Sequence, residues 1–191
     1  MKKRFGIDID GTVTCPSTFV PYLNDAFQLN ITLDDIKQYD FMPLVDISEK
    51  EFAKWFSKME PKIYSESPLA SGAWNVLKNW EKQHDLFFIS ARGSHLKEVT
   101  KDWFHKQKLN FHTIDLLGTH NKVEAAKKYQ VEIFFEDKHD NAVMIHEECK
   151  IPVLLFDTPY NQDPTPNGVV RVNNWKEANE WVHQWLKTES I

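Results

Sequence analysis

Asp8-Ile-Asp10-Gly11-Thr12 follows a short apolar run and sets two carboxylates two residues apart. Like charges at a buried strand end repel unless a cation or hydrogen-bond donors neutralise them. Other reactive residues stand at similar places. Ser90 and Arg92 follow an apolar LFFI run, and Lys122 stands at the start of a helical pattern. Glu136 and Asp137 follow IFF, with Asp140 a turn later, and Asp157 follows VLLF. Hard oxygen ligands with no His or Cys beside them suit magnesium rather than zinc. Asp8, Asp10 and Asp137 are the candidate metal ligands. Ser90, Arg92 and Lys122 are then donors that a phosphate group would satisfy, with Thr12 and the backbone N–H groups after Gly11 adding to the cradle.

Hydrolysis of a phosphate monoester is among the slowest uncatalysed reactions, and enzymes accelerate it by up to about 10²¹-fold. A carboxylate nucleophile divides so difficult a step into two through an aspartyl-phosphate. Asp8 is the candidate nucleophile. Asp10 would protonate the leaving oxygen and then deprotonate the attacking water. Ser90 and Lys122 would balance charge on the phosphoryl oxygens. Taken singly, Ser90 is also a plausible helix cap and Lys122 a solvated helix lysine. For Arg92, a surface ion pair and a substrate contact weigh equally. Glu136 and Asp140 are better suited to orienting the lysine or metal-bound water than to the metal itself.

Elements that would position these residues can be read from the pattern. Runs at 4–9, 85–90, 112–117, 131–136 and 151–156 predict strands, several buried on both faces; a sixth apolar run lies at 169–172. Helical patterns at 72–83, 94–107, 121–129, 139–148 and 174–187 alternate with them. Ser94 is the expected N-cap of the second, and Asn121 with Glu124 has capping-box spacing. The alternation predicts an α/β, Rossmann-like three-layer core with a parallel sheet, whose ligand site lies at the carboxyl ends of the strands.

Residues 15–70 break the alternation. Thr32-x-x-Asp35 and Ser48-x-x-Glu51 each predict a capping box, and Phe52, Trp55, Phe56 and Met59 recur at helical spacing. The expected organisation is a core of residues 1–14 and 71–191 with a small helical cap, 15–70, inserted after the first strand. The helix-spaced aromatics serve the cap's own small core. Phe41, in a loop beside Met42-Pro43, is the better candidate to contact a nucleobase.

Bulk properties narrow the field. A chain of 191 residues that is 41% hydrophobic fills one core and a small insertion. A net charge of −5 gives no general attraction to nucleic acid or anionic membrane. Cys15 and Cys149 form no CxxC and suggest free thiols in a cytoplasmic setting. The N-terminal stretch does not fit a secretion signal, and no window reaches the roughly 18 apolar residues of a membrane span. Homodimer formation is left open.

The residues together resemble the haloacid-dehalogenase-like superfamily of phosphohydrolases. DxDGT stands at 8–12, an apolar strand ending in serine at Ser90, a helix-start lysine at Lys122, and an acidic pair at Glu136-Asp137. These occur in family order across 8–140. Asp10 implies phosphatases rather than dehalogenases. Within the superfamily the chain is most similar to the 5′(3′)-deoxyribonucleotidase group and its bacterial relatives, through the insertion after the first motif and the Pro159-Tyr160-Asn161 loop with Asn174-Trp175 following. It departs from that group in having Glu136-Asp137 for Asp-Asp, and Ser90-Ala91-Arg92 for Thr-Ser-Pro. The resemblance implies a magnesium-dependent nucleotidase acting on a small-molecule phosphomonoester. A sugar-phosphate phosphatase, a phospho-accepting domain and a non-catalytic scaffold are the alternatives.

Overall fold

The computed structural model describes residues 2–188, so the outermost core positions expected from the sequence, 1 and 189–191, lie outside the described residues. Six parallel strands form one sheet in the order β3-β2-β1-β4-β5-β6. They are β1 (Arg4–Ile7), β2 (Asp85–Ser90), β3 (Thr113–Leu116), β4 (Ile133–Glu136), β5 (Val153–Phe156) and β6 (Val169–Val172). The sixth apolar run is thus an edge strand, β3 being the other, with Val153 opposite Val169. β1 pairs with both β2 and β4: Phe5 lies between Leu86 and Ile133. The sheet grows outward from β1 in one direction and then, from β4, in the other. That reversal is the switch point at which open α/β sheets bind ligands.

Both faces of the sheet are covered, which is why its inner strands β1, β4 and β5 are almost wholly apolar. On one face Phe5, Ile7, Phe88, Phe135 and Leu154 pack with Trp80, Trp103 and Trp175. These tryptophans come from α3 (Ala73–Trp80), α4 (Lys97–Lys106) and α7 (Trp175–Thr188). On the other face Phe87, Ile89, Phe134 and Leu155 pack with Ala126, Ala142 and Ile145. These belong to α5 (Val123–Lys128) and α6 (His139–Cys149). The result is the three-layer Rossmann-like core.

Local differences from the sequence pattern have simple causes. β1 stops at Ile7 because the chain turns tightly over Ile9–Val13, where Thr14 N–H donates to Ile9 O (2.9 Å) and Gly11 takes φ +77°. Ser94 does not cap α4; residues Ser94–Leu96 form a short 3-10 turn first, and that turn has no side-chain cap. Asn121 Oδ1 does accept from Val123 N–H (3.2 Å), but Glu124 faces Lys127 (3.9 Å) rather than closing a box.

Between β1 and α3 lie α1 (Val20–Phe27), α2 (Glu49–Glu66) and two short 3-10 turns. Both expected capping boxes form, at Thr32/Asp35 and Ser48/Glu51. Phe27 and Trp55 meet edge to face at 4.9 Å, and Phe19 packs on Phe41 (5.4 Å) and Phe56 (5.9 Å). The two stems of this insertion run side by side. Thr14 and Leu69 form an antiparallel bridge, flanked by Cys15 N–H to Pro68 O (2.8 Å) and Ala70 N–H to Val13 O (2.9 Å).

Candidate active site

Asp8 leaves β1 and Asp137 leaves β4, so the two carboxylates emerge side by side at the switch point. Glu136, the last residue of β4, joins them. One carboxylate oxygen from each of the three lies within 4.8 Å of the others, and all three residues are buried. Lys122 reaches in from the start of α5. Its ammonium donates to Asp8 Oδ1 and to Glu136 Oε2 (2.7 Å) while its side chain is only 1% exposed.

The arrangement carries more negative charge than one lysine can offset. Burial, then the neighbouring Glu136 and Asp10, push Asp8 up to about 7 against the pull of Lys122. Burial and the charges of Asp8 and Glu136 hold Asp137 well above the usual carboxylate range. Burial alone would lower Lys122, but Asp8 and Glu136 outweigh it and keep the ammonium charged.

Glu136 is fully occupied. Its Oε1 accepts from the N–H groups of Asp137 (3.2 Å) and Lys138 (3.1 Å), and its Oε2 from Lys122 and Asn141 Nδ2 (3.5 Å). Asp137 is not. Its Oδ2 accepts from the Tyr160 hydroxyl (2.6 Å), but its Oδ1 is buried with no partner. An orphaned carboxylate oxygen beside a second buried carboxylate fits a hard divalent cation, with Asp8 and Asp137 as its protein ligands. Gly11 keeps this space open. A Cβ there would run into the Asp137 carboxylate and the Tyr160 hydroxyl, and its positive φ would strain any other residue.

Asp10 stands apart from this acidic group. Its two oxygens accept from Arg92 Nε (2.9 Å) and Nη2 (2.7 Å). Arg92 is therefore neither on the surface nor open to the cavity as a lone cation; it is buried against Asp10. Ser90 Oγ accepts from Arg92 N–H (3.2 Å) and is itself buried. Thr12 is fully buried with an unpartnered hydroxyl, and its carbonyl accepts from Trp175 Nε1 (3.0 Å).

A cavity of about 250 Å³ opens between the insertion and the sheet. Asp10, Gly11, Arg92 and Asp137 form its floor on the sheet side, and Phe19, Tyr39, Phe41, Phe56 and Tyr64 line it from the insertion. Phe41, expected to meet a base, is one of these lining residues. Phe56, read as packing, also lines the cavity. His120 lines it as well, its imidazole kept neutral chiefly by burial and then by Lys138 and Lys122.

Asp140 is far from this chemistry: its carboxylate is 77% exposed beside Lys138 and His139. Asp157 pairs with Arg171 (3.0 Å), and His139 Nε2 meets Pro164 O (2.9 Å). Sequence reasoning gave no role to Tyr160, Asn161 or Asn141. Asn161 Nδ2 donates to Asp137 O (2.6 Å) and Phe156 O (2.7 Å), tying the β5–β6 loop to β4. The Pro159-Tyr160-Asn161 stretch was the visible signal. Its partner, 24 residues away for Asn161, was not.

Comparison with known proteins follows this geometry. A protein from Halalkalibacterium halodurans named "Putative nucleotidase" is 54% identical over 186 residues, covering 97% of this chain and 95% of its own. A nucleotidase from Clostridium acetobutylicum is 31% identical over 186 residues, covering 97% and 96%. A crystal structure of the "putative HAD-hydrolase YfnB from Bacillus subtilis bound to magnesium" superposes with a TM-score of 0.62 at 11% identity, covering 95% and 99%; it shares the fold. No family model matches the chain.

Proposed function

The chain belongs to the family of these bacterial nucleotidases, within the haloacid-dehalogenase-like hydrolases, and from that premise we propose a magnesium-dependent 5′-nucleotidase acting on (deoxy)nucleoside monophosphates. It is a phosphoric monoester hydrolase. The observation that carries the finer reading is the buried set Asp8, Asp137, Glu136 and Lys122 at the switch point, below an aromatic-walled cavity. The paired stems support residues 15–70 as a cap on a core of 1–14 and 71–191. The two free cysteines support work in the cytoplasm.

In this reading Asp8 and Asp137 would hold magnesium, which when bound would offset their charge and polarise the phosphoryl group. Asp8 attacks phosphorus and becomes an aspartyl-phosphate as the P–O bond to the nucleoside breaks. Asp10 gives its proton to the departing alkoxide oxygen, then takes one from the water that hydrolyses the aspartyl-phosphate. Lys122, fixed by Glu136, holds the Asp8 carboxylate in place and faces the developing phosphoryl charge. Phe41 and its aromatic neighbours offer flat apolar surface to a base, and the cap over them excludes water.

Phosphate release from nucleoside 5′-monophosphates, sugar phosphates and 4-nitrophenyl phosphate, with magnesium and with chelator, tests this. Magnesium-dependent release led by nucleotides is expected. Release from sugar phosphates in preference moves the substrate class; release unaffected by chelator removes the metal. A second test concerns the metal alone. Calorimetric titration of magnesium into Asp137→Ala should show affinity lowered beyond about 100-fold, and into Tyr160→Phe about 10-fold, because the phenol orients its ligand. An unchanged Asp137→Ala titration would place the ion elsewhere.

A further inference from the structure

We propose that Arg92 is the positioning residue of Asp10, and that the insertion holds the positioning device shut through Tyr64. The inference rests on Asp10 being the acid and base of the reaction. Its geometric basis is independent of the metal.

Both Asp10 oxygens are gripped in parallel by one guanidinium, through Nε (2.9 Å) and Nη2 (2.7 Å). Such a fork fixes the plane of a carboxylate as well as its place. The fork is itself immobilised. Arg92 Nη1 donates to the buried Thr100 hydroxyl (3.0 Å), its backbone N–H is held by Ser90, and its side chain is 0% exposed. The ring of Tyr64, on α2 of the insertion, covers the guanidinium at 4.0 Å. Each guanidinium nitrogen of Arg92 thus donates to Asp10 or Thr100, which commits its fork to Asp10. The Asp10 side chain keeps 19% exposure and lines the cavity, so its oxygens still reach a reacting group. A carboxyl that meets first the leaving oxygen and then the water must hold one place through both steps, and the grip, which uses only part of the acceptor capacity of each oxygen, fixes that place.

The leaving group tests it. A nucleoside alkoxide needs a proton to depart, whereas 4-nitrophenolate does not, and kcat/KM reports only the step that forms the phosphoenzyme. Arg92→Lys keeps the charge but loses the fork. Its kcat/KM on a nucleoside 5′-monophosphate should fall about 10²-fold, and on 4-nitrophenyl phosphate less than about fivefold. Asp10→Asn should show the same split, and the double variant should be no worse than Asp10→Asn. Equal losses on both substrates, or losses that multiply in the double variant, overturn the proposal in favour of phosphate binding or simple structure. Should Arg92→Lys not fold, Thr100→Val and Tyr64→Leu decide: a smaller split of the same sense supports the device, and no split refutes it. If the wild type is active but Asp10→Asn shows no split, the acid–base reading itself falls. If only Arg92→Lys lacks the split, the positioning role alone falls.

Discussion

Asp8→Asn is expected to lower phosphate release from every substrate by at least about 10⁴-fold, with the protein still folded. The amide is isosteric and its oxygen can still accept from Lys122, so the loss isolates the nucleophile rather than the site's architecture. Acid quench with radiolabelled substrate should trap label on the wild type and none on the variant. The same substitution has a second readout in stability. Asp8 is raised from 3.8 to about 7 by burial and like charges. The folded state therefore holds a proton that the unfolded state releases. Its contribution is complete below about pH 4 and is lost as pH rises to about 7. In chelator, Tm of Asp8→Asn should draw above that of the wild type across this interval and level off beyond it. Magnesium should then close the gap by raising the wild type. A gap that is constant with pH would mean that Asp8 does not carry the strain.

Lys122→Met is the other large effect. It removes the ammonium that joins Asp8 to Glu136 and leaves both carboxylates buried. Breaking a buried pair costs about 3–5 kcal/mol, which for a chain of this size lowers Tm by roughly 10 °C. Loss of a charge facing the phosphoryl group should cost about 10³-fold in kcat. Magnesium should recover part of the Tm and little of the kcat. A variant with wild-type Tm would show that Lys122 is not the keystone of the acidic group, and one with wild-type kcat would take it out of the chemistry.

The parallel sheet was legible because its inner strands are buried on both faces: Phe134 and Phe135 are both fully buried, and the apolar run betrays it. The edge strand β6 was less so: Val170 and Arg171 are partly exposed, and a proline-rich loop precedes it. Asp8, Lys122 and Asp137 could be gathered at one place because strand ends in a parallel sheet converge by topology. What pairing each side chain makes there could not. Arg92 grips Asp10 across 82 residues, and nothing local to either announces the other. Glu136 accepts a hydrogen bond from Lys122, whereas Asp140, one helical turn on, points into solvent. The fourth motif residue is read from the strand end, but its outward neighbour is a matter of helix phase.

The paired stems at Val13–Cys15 and Pro68–Ala70 reach beyond the question of catalysis. An insertion whose ends meet in one short antiparallel pair presents its host with the boundary of a hairpin, two chain ends about 5 Å apart. Lengthening such a closed excursion costs little entropy, because closure grows only with the logarithm of length. The chain can thus accept insertions of other lengths between β1 and α3, provided that they restore what Tyr64 and Glu60 now give Arg92 and His95. On the proposed function substrate choice then resides in a separable insertion, and a graft at that junction works once the new insertion restores the cover that Tyr64 gives Arg92.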